Sequence, residues 1–222
     1  MATYLELQND VKNLINRSDC TTDLAKSFLK SASQKIQRTL RFPGLEKLFS
    51  VTVGTTSSQL YDQADGKVYI PGDYIEMVQA YTGLTQSNDA VLNRVPLSRF
   101  IELSGSLPQT GKPQYYTRLQ NFWYVKPIPT VGTVFHFVYR GEAETLTNDT
   151  DTNTLSLVSP DLITYGACIY AADYFNDDRK PIYESSYNQM KLEIEELILS
   201  TDQASVDAKV QPSVSFELDI IN

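Results

Sequence analysis

The chain has 222 residues, 41% of them hydrophobic, with 19 basic and 27 acidic side chains and a formal net charge of −8. That length allows one large domain or two small ones with a packed core. The acidic balance argues against a sequence-reading DNA binder, which needs a basic face against the phosphates, but not against a surface that DNA passes without sticking.

In chain order, Thr3-Tyr-Leu-Glu6 is a capping box that opens a first helix. Tyr4, Leu7, Val11, Leu14 and Ile15 recur at helical spacing, and the pattern stops near Asn16–Ser18. A second helix starts at Thr21 or Thr22, with Leu24, Phe28, Leu29, Ala32, Ile36 and Leu40 as its apolar stripe. Lys26 and Lys30 sit on another, solvated face, and Phe42-Pro-Gly44 ends the pattern.

From Phe49 the period changes to short β-branched and aromatic runs punctuated by Gly, Pro, Asn and Asp. "YYTRLQNFWYVKP" predicts a hairpin turning at Gln120-Asn121, and "IPTVGTVFHFVY" continues it as a meander. "ETLTNDTDTNT" closes the β region as a polar loop.

Residues 159–178 form a third helix: Ser159 as cap, Pro160 at the first position and Asp161 at the positive end of the dipole. Its apolar residues point all round the axis, which demands cover on every side. A fourth helix runs from about Pro181 to Leu199, with Ile182, Tyr183, Tyr187, Met190, Ile194, Leu197 and Ile198 as its stripe and Glu193, Glu195 and Glu196 largely opposite. Next comes a polar linker. Val214, Phe216, Leu218 and Ile220 then alternate with polar residues, the period of a strand that needs an edge to pair with, either its own sheet or a partner's.

The expected fold is α+β. Residues 1–48 and 155–202 make a four-helix bundle from the N- and C-terminal helix pairs, residues 49–154 an inserted antiparallel β module, and residues 203–222 an extended C-terminal tail. Charge divides along the same lines: +3 over residues 1–48, −1 over 49–148, −8 over 149–202 and −2 over the last 20. Complementary packed helices or an exposed acidic surface would each produce that split.

The chemistry-bearing residues assemble no catalytic signature. The single histidine, His136, alternates onto the face of Val134 and Val138 and reads as a structural, half-buried residue without a nucleophile elbow beside it. Asp173, Asp177 and Asp178 could do acid–base work, but the last two sit in a charged helix–helix turn with Arg179 and Lys180. "TNDTDTNT" lacks the Gly and terminal Glu of a calcium loop. No Walker A, GxGxxG or zinc spacing occurs, so no metal or cofactor is expected. Cys20 and Cys168 are too far apart in sequence to suggest a disulfide framework, Cys168 lying in the apolar helix as a small core residue. The N-terminus lacks a secretory pattern, and the longest apolar runs fall short of the ~20 residues that span a bilayer. A soluble protein made in a reducing cytoplasm follows, and Asn16 and Asn148 are chance matches to the glycosylation pattern. Fourteen tyrosines suit interfaces, sugar binding or base stacking. The over-apolar helix and the orphan strand favour an assembly protein that is not an enzyme. A carbohydrate-binding module or hydrolase, based on the aromatics of residues 115–124 and the carboxylates, is the alternative, with Trp123 as its marker residue.

The segment order resembles the head-to-tail adaptor (connector, tail tubular gatekeeper) proteins of tailed bacteriophages. "IQRTLRFPGLEKLF" ends a matching helix pair, "VYIPGDYIEMVQAY" a matching strand, and "GKPQYYTRLQNFWYVKPIP" a matching hairpin. The strand, polar loop and "PDLITYGACIYAADYF" helix, with the helix after it, extend the likeness over residues 1–200. The resemblance implies a virion protein at the head–tail junction, assembled in the host cytoplasm without a membrane. Such a protein forms a ring, commonly of twelve copies, beneath the portal protein. The ring extends the channel for genomic DNA without reading it and docks the tail nozzle or tube protein, in DNA packaging and ejection. Another tail-completion or minor capsid protein would share most of these features. On this reading Tyr165, Ile169, Tyr170, Tyr174 and Phe175 pack against neighbouring subunits, and Val214, Phe216, Leu218 and Ile220 bind the partner.

Overall fold

The computed structural model describes residues 2–42, 44–54, 61–62, 65–83, 90–106 and 108–207. Among them the elements run α1 (Tyr4–Ile15), α2 (Thr22–Thr39), β1 (Glu46–Thr52), β2 (Tyr61–Asp62), β3 (Lys67–Tyr69), β4 (Tyr74–Thr82), β5 (Ala90–Val91), β6 (Asn93–Arg94), α3 (Leu97–Ser106), β7 (Tyr115–Leu119), β8 (Phe122–Lys126), β9 (Val134–Gly141), α4 (Thr154–Val158), α5 (Pro160–Phe175) and α6 (Lys180–Asp207). The fold is α+β. It divides into a helical unit, Met1–Pro43 with Ala143–Asn222, and a β unit, Gly44–Glu142.

In the helical unit, α5 packs against α1, α2, α4 and α6. Leu162, Ile163, Thr164, Gly166, Ala167, Cys168, Ala171 and Ala172 are all buried, so most of its apolar surface finds cover inside one chain, while Tyr165, Ile169, Tyr170 and Phe175 are half-buried and Tyr174 is exposed. Burial pushes the Cys168 thiol up to about 12, which keeps it neutral. Small residues set the spacing. A Cβ on Gly166 would lie 3.2 Å from the Ala32 Cβ and 3.3 Å from a ring carbon of Tyr187, so α2 and α6 both close on this point.

The helix ends follow local chemistry. Thr3 and Glu6 form the capping box of α1. Asn16 and Asn176 both adopt the left-handed conformation that ends α1 and α5, a state asparagine tolerates better than most residues. Ser159 departs from expectation: its side chain makes no cap bond, and the residue also ends α4, its N–H donating to the Leu155 carbonyl. The polar loop also carries structure. The Asp149 and Asp151 carbonyls accept from the N–H groups of Leu5 and Tyr4, satisfying first-turn donors of α1. The Asp151 carboxylate accepts from the N–H groups of Asn148 and Thr147, which holds its pKa below the usual range.

On α6 the core face is narrower than the predicted stripe. Tyr183, Tyr187 and Ile194 are buried and Met190 and Ile198 half-buried, whereas Ile182 and Leu197 are exposed. Both lie off the arc that faces α5. The helix also runs past Leu199 to Asp207, because the following sequence has no Gly or Pro to stop it.

The β unit holds two sheets, ordered β1-β9-β4-β5 and β2-β3-β8-β7-β6. One apolar core joins them, with Trp123 stacked on Phe137 at 4.5 Å and Val68, Val125 and Phe135 almost fully buried. The β7–β8 hairpin turns at Gln120, in the left-handed region, as its sequence predicts. The meander does not continue. β9 leaves β8 and lies between β1 and β4 in the other sheet, where Phe135 and Phe137 face the core opposite Trp123. The module is also not wholly antiparallel, since β6 pairs with β7 in parallel. The unpredicted helix α3 makes the crossover that this requires.

The two ends of the β unit are tied together. The Gly141 N–H donates to the Leu45 carbonyl at 2.9 Å, and Lys47 Nζ reaches Asp73 Oδ2 at 2.7 Å and the Glu142 carbonyl at 2.8 Å. Burial works against the Asp73 carboxylate, yet hydrogen bonds from Lys47 and Tyr139 hold its pKa below the usual range. Burial and the bond to Asp73 push the Tyr139 phenol up to about 12.

The tight approach at Gly166 yields a stability test. Gly166→Val should destabilise the fold by about 1–3 kcal/mol through overpacking, read by urea denaturation. An unchanged midpoint would mean that α2 and α6 are not held at this point.

Candidate assembly interface

The residues expected to pack between subunits share α5 but differ in availability. Tyr165 is half-buried beside Tyr183, with ring centroids 6.5 Å apart. Tyr170 is half-buried beneath Lys35, whose Nζ lies 5.9 Å from its ring and 5.9 Å from that of Tyr187. Phe175 packs edge-on to Phe28 and under the Arg17 guanidinium, 4.6 Å from the ring. Ile169 is half-buried, and Tyr174 keeps 61% of its surface exposed. Val214, Phe216, Leu218 and Ile220 lie outside the described residues.

Sequence reasoning missed a second apolar surface. Leu192 and Leu199 of α6 are both 59% exposed and lie seven residues apart, on the side of the helix away from its core face. Their spacing was the available signal, hidden by the stronger core stripe.

The α5–α6 turn fixes how these two helices are presented. Arg179 donates to both Asp177 oxygens and to the Leu14 and Ile15 carbonyls, the latter at 2.6 Å. The Tyr183 hydroxyl donates to the Leu14 carbonyl at 3.0 Å. The free carbonyls at the end of α1 are thus satisfied from the turn. These hydrogen bonds from Arg179 hold the Asp177 carboxyl down at about 2. Asp173 pairs with Lys180 at 2.6 Å. Asp173 and Asp177 therefore serve the turn.

The remaining chemical candidates are also structural. His136 is bonded through both ring nitrogens, to Ser50 Oγ at 2.9 Å and to the Gly83 carbonyl at 3.0 Å, and stacks on Tyr81. Trp123, the marker of the sugar-binding alternative, is 1% exposed and belongs to the core. Among the described residues, no group of His, Cys, Asp and Glu could hold a metal ion, and no helix is long and apolar enough to cross a membrane.

The helical unit presents apolar area and charge outward on long helices. The family model of the SU10 adaptor protein matches residues 2–212. The chain belongs to this family and is a phage head–tail adaptor, as the order of its sequence segments implies. No curated protein matches it.

The turn predicts a pH dependence. A carboxylate with a depressed pKa adds stability that is complete above its unfolded value of 3.8 and is lost as pH falls through about 2. Asp177→Asn should therefore melt below the wild type at neutral pH, and the gap should close between pH 4 and pH 2. A gap independent of pH would show that the charge on Asp177 is not what ties the turn.

Proposed function

We propose that this adaptor forms a closed ring, of twelve copies as in the proteins it resembles, between the portal protein and the tail nozzle or tube protein. In this reading α1, α2, α5 and α6 act as a four-helix bundle, and the bundles stand side by side around the ring. Tyr165, Ile169, Tyr170, Tyr174 and Phe175 contribute to the packing between them. The C-terminal residues Val214, Phe216, Leu218 and Ile220 add a strand to the portal. The genome passes through the lumen, and the acidic residues 149–202 repel its phosphates so that DNA slides without sticking.

The observation that carries this reading is the adaptor family match over residues 2–212. The exposed leucines of α6 support it, since a ring covers apolar surface that a lone subunit leaves in water.

The test removes residues 208–222, which begin just after the end of α6. The truncated chain should keep the wild-type circular dichroism and melting temperature and lose co-sedimentation with the portal. Portal binding at wild-type strength would contradict the docking role of the tail.

A further inference from the structure

Two exposed stripes of the helical unit complement each other. On α6, Ser185, Gln189, Leu192, Glu196 and Leu199 are all exposed and follow one another at intervals of three or four residues, on one face. On α2, Asp23, Ser27, Lys30, Gln34 and Arg38 do the same. The first stripe is apolar and acidic, with Glu193 exposed beside it. The second is basic over its C-terminal part, and the small Ser27 and half-buried Ser31 flank Lys30. Lys35 lies over the Tyr170 and Tyr187 rings and Lys26 pairs with Asp149, whereas Lys30 and Glu196 make no ion pair among the described residues.

Length supports an external cover for α6. Its 28 residues span about 42 Å, while α2 has 18 residues and α5 has 16. Ile194 is its last buried residue among those whose burial is described.

We propose that the α6 stripe of one copy lies against the α2 stripe of the next, Leu192 seating between Ser27, Lys30, Ser31 and Gln34 while Glu196, one turn further on, meets Lys30. The inference rests on the ring reading and names its contact. Four residues at this spacing surround a hole on a helix surface that a leucine of a facing helix can enter. The two serines deepen that hole, and the aliphatic stems of Lys30 and Gln34 line it. The opposite charges fix the partner and the register. The two patches differ, so the contact is head-to-tail, the kind that closes into a ring when the rotation permits.

The test reverses each charge in the full chain. K30E and E196K should each weaken self-association about tenfold, since like charges then meet across the contact. The double swap K30E/E196K should restore it. Sedimentation velocity over a concentration series reads the outcome, with circular dichroism checking the fold. As a second readout, mixed Ser27→Cys and Leu192→Cys chains should form an intermolecular disulfide under mild oxidation; the native cysteines are buried. Reversed chains that assemble as the wild type does, with no such cross-link, would overturn the contact and leave the ring standing. Should the wild-type chain be monomeric alone, the same charge swaps and cross-link are read with the portal present, and a wild-type chain that stays monomeric there too would overturn both.

Discussion

The helical unit depends on the enclosure of α5. A helix apolar on every side is unstable in water, and in this chain it gains cover from segments at both ends of the sequence. α1 and α2 come before the β unit, α4 and α6 after it. Burying one large aliphatic side chain contributes about 1.5–3 kcal/mol, so α5 has reason to draw the two ends together. Gly166 and the alanines let them come close, and the Arg179 bridge to the end of α1 fixes the angle at which α6 departs. The outward faces of α2 and α6 are then set by which residues α5 has already claimed.

The β unit solves a different problem. It is a loop of nearly a hundred residues in sequence terms, and its ends must meet if the helical unit is to close. Lys47, Asp73 and the backbone of Leu45, Gly141 and Glu142 hold those ends together through hydrogen bonds. A stacked aromatic core between two sheets gives the unit a hydrophobic core of its own.

Much of this was legible in the sequence because the strongest signals are local. Apolar spacing revealed α1, α2, α5 and most of α6, and Asn16 marked where α1 stops, whereas α5 ends at Phe175, short of the expected Asp178, because Asn176 takes the left-handed conformation. The β7–β8 hairpin was readable because the polar pair Gln120-Asn121 interrupts two alternating aromatic runs, although it is Gln120 that takes the left-handed conformation. What was missed depended on long-range pairing or on weak signals. The transfer of β9 to the other sheet is decided by which faces Phe135 and Phe137 present to Trp123, which spacing alone does not encode. The short helices α3 and α4 lie among strand-like and loop-like runs. At the candidate interface, sequence pattern located α5 but could not tell residues used inside the chain from those left outside it. Tyr165 and Phe175 are largely spoken for by Tyr183 and Phe28, whereas Leu192 and Leu199 lay unnoticed behind the core stripe.

The central claim is that this adaptor acts as a ring on the portal. Electron microscopy of the full chain mixed with the portal of the same phage tests it most directly. Class averages should show a closed ring of density coaxial with the portal, at the end facing the tail, with a channel running through both. Bare portals beside free monomers, or adaptor bound away from the channel axis, would contradict the account.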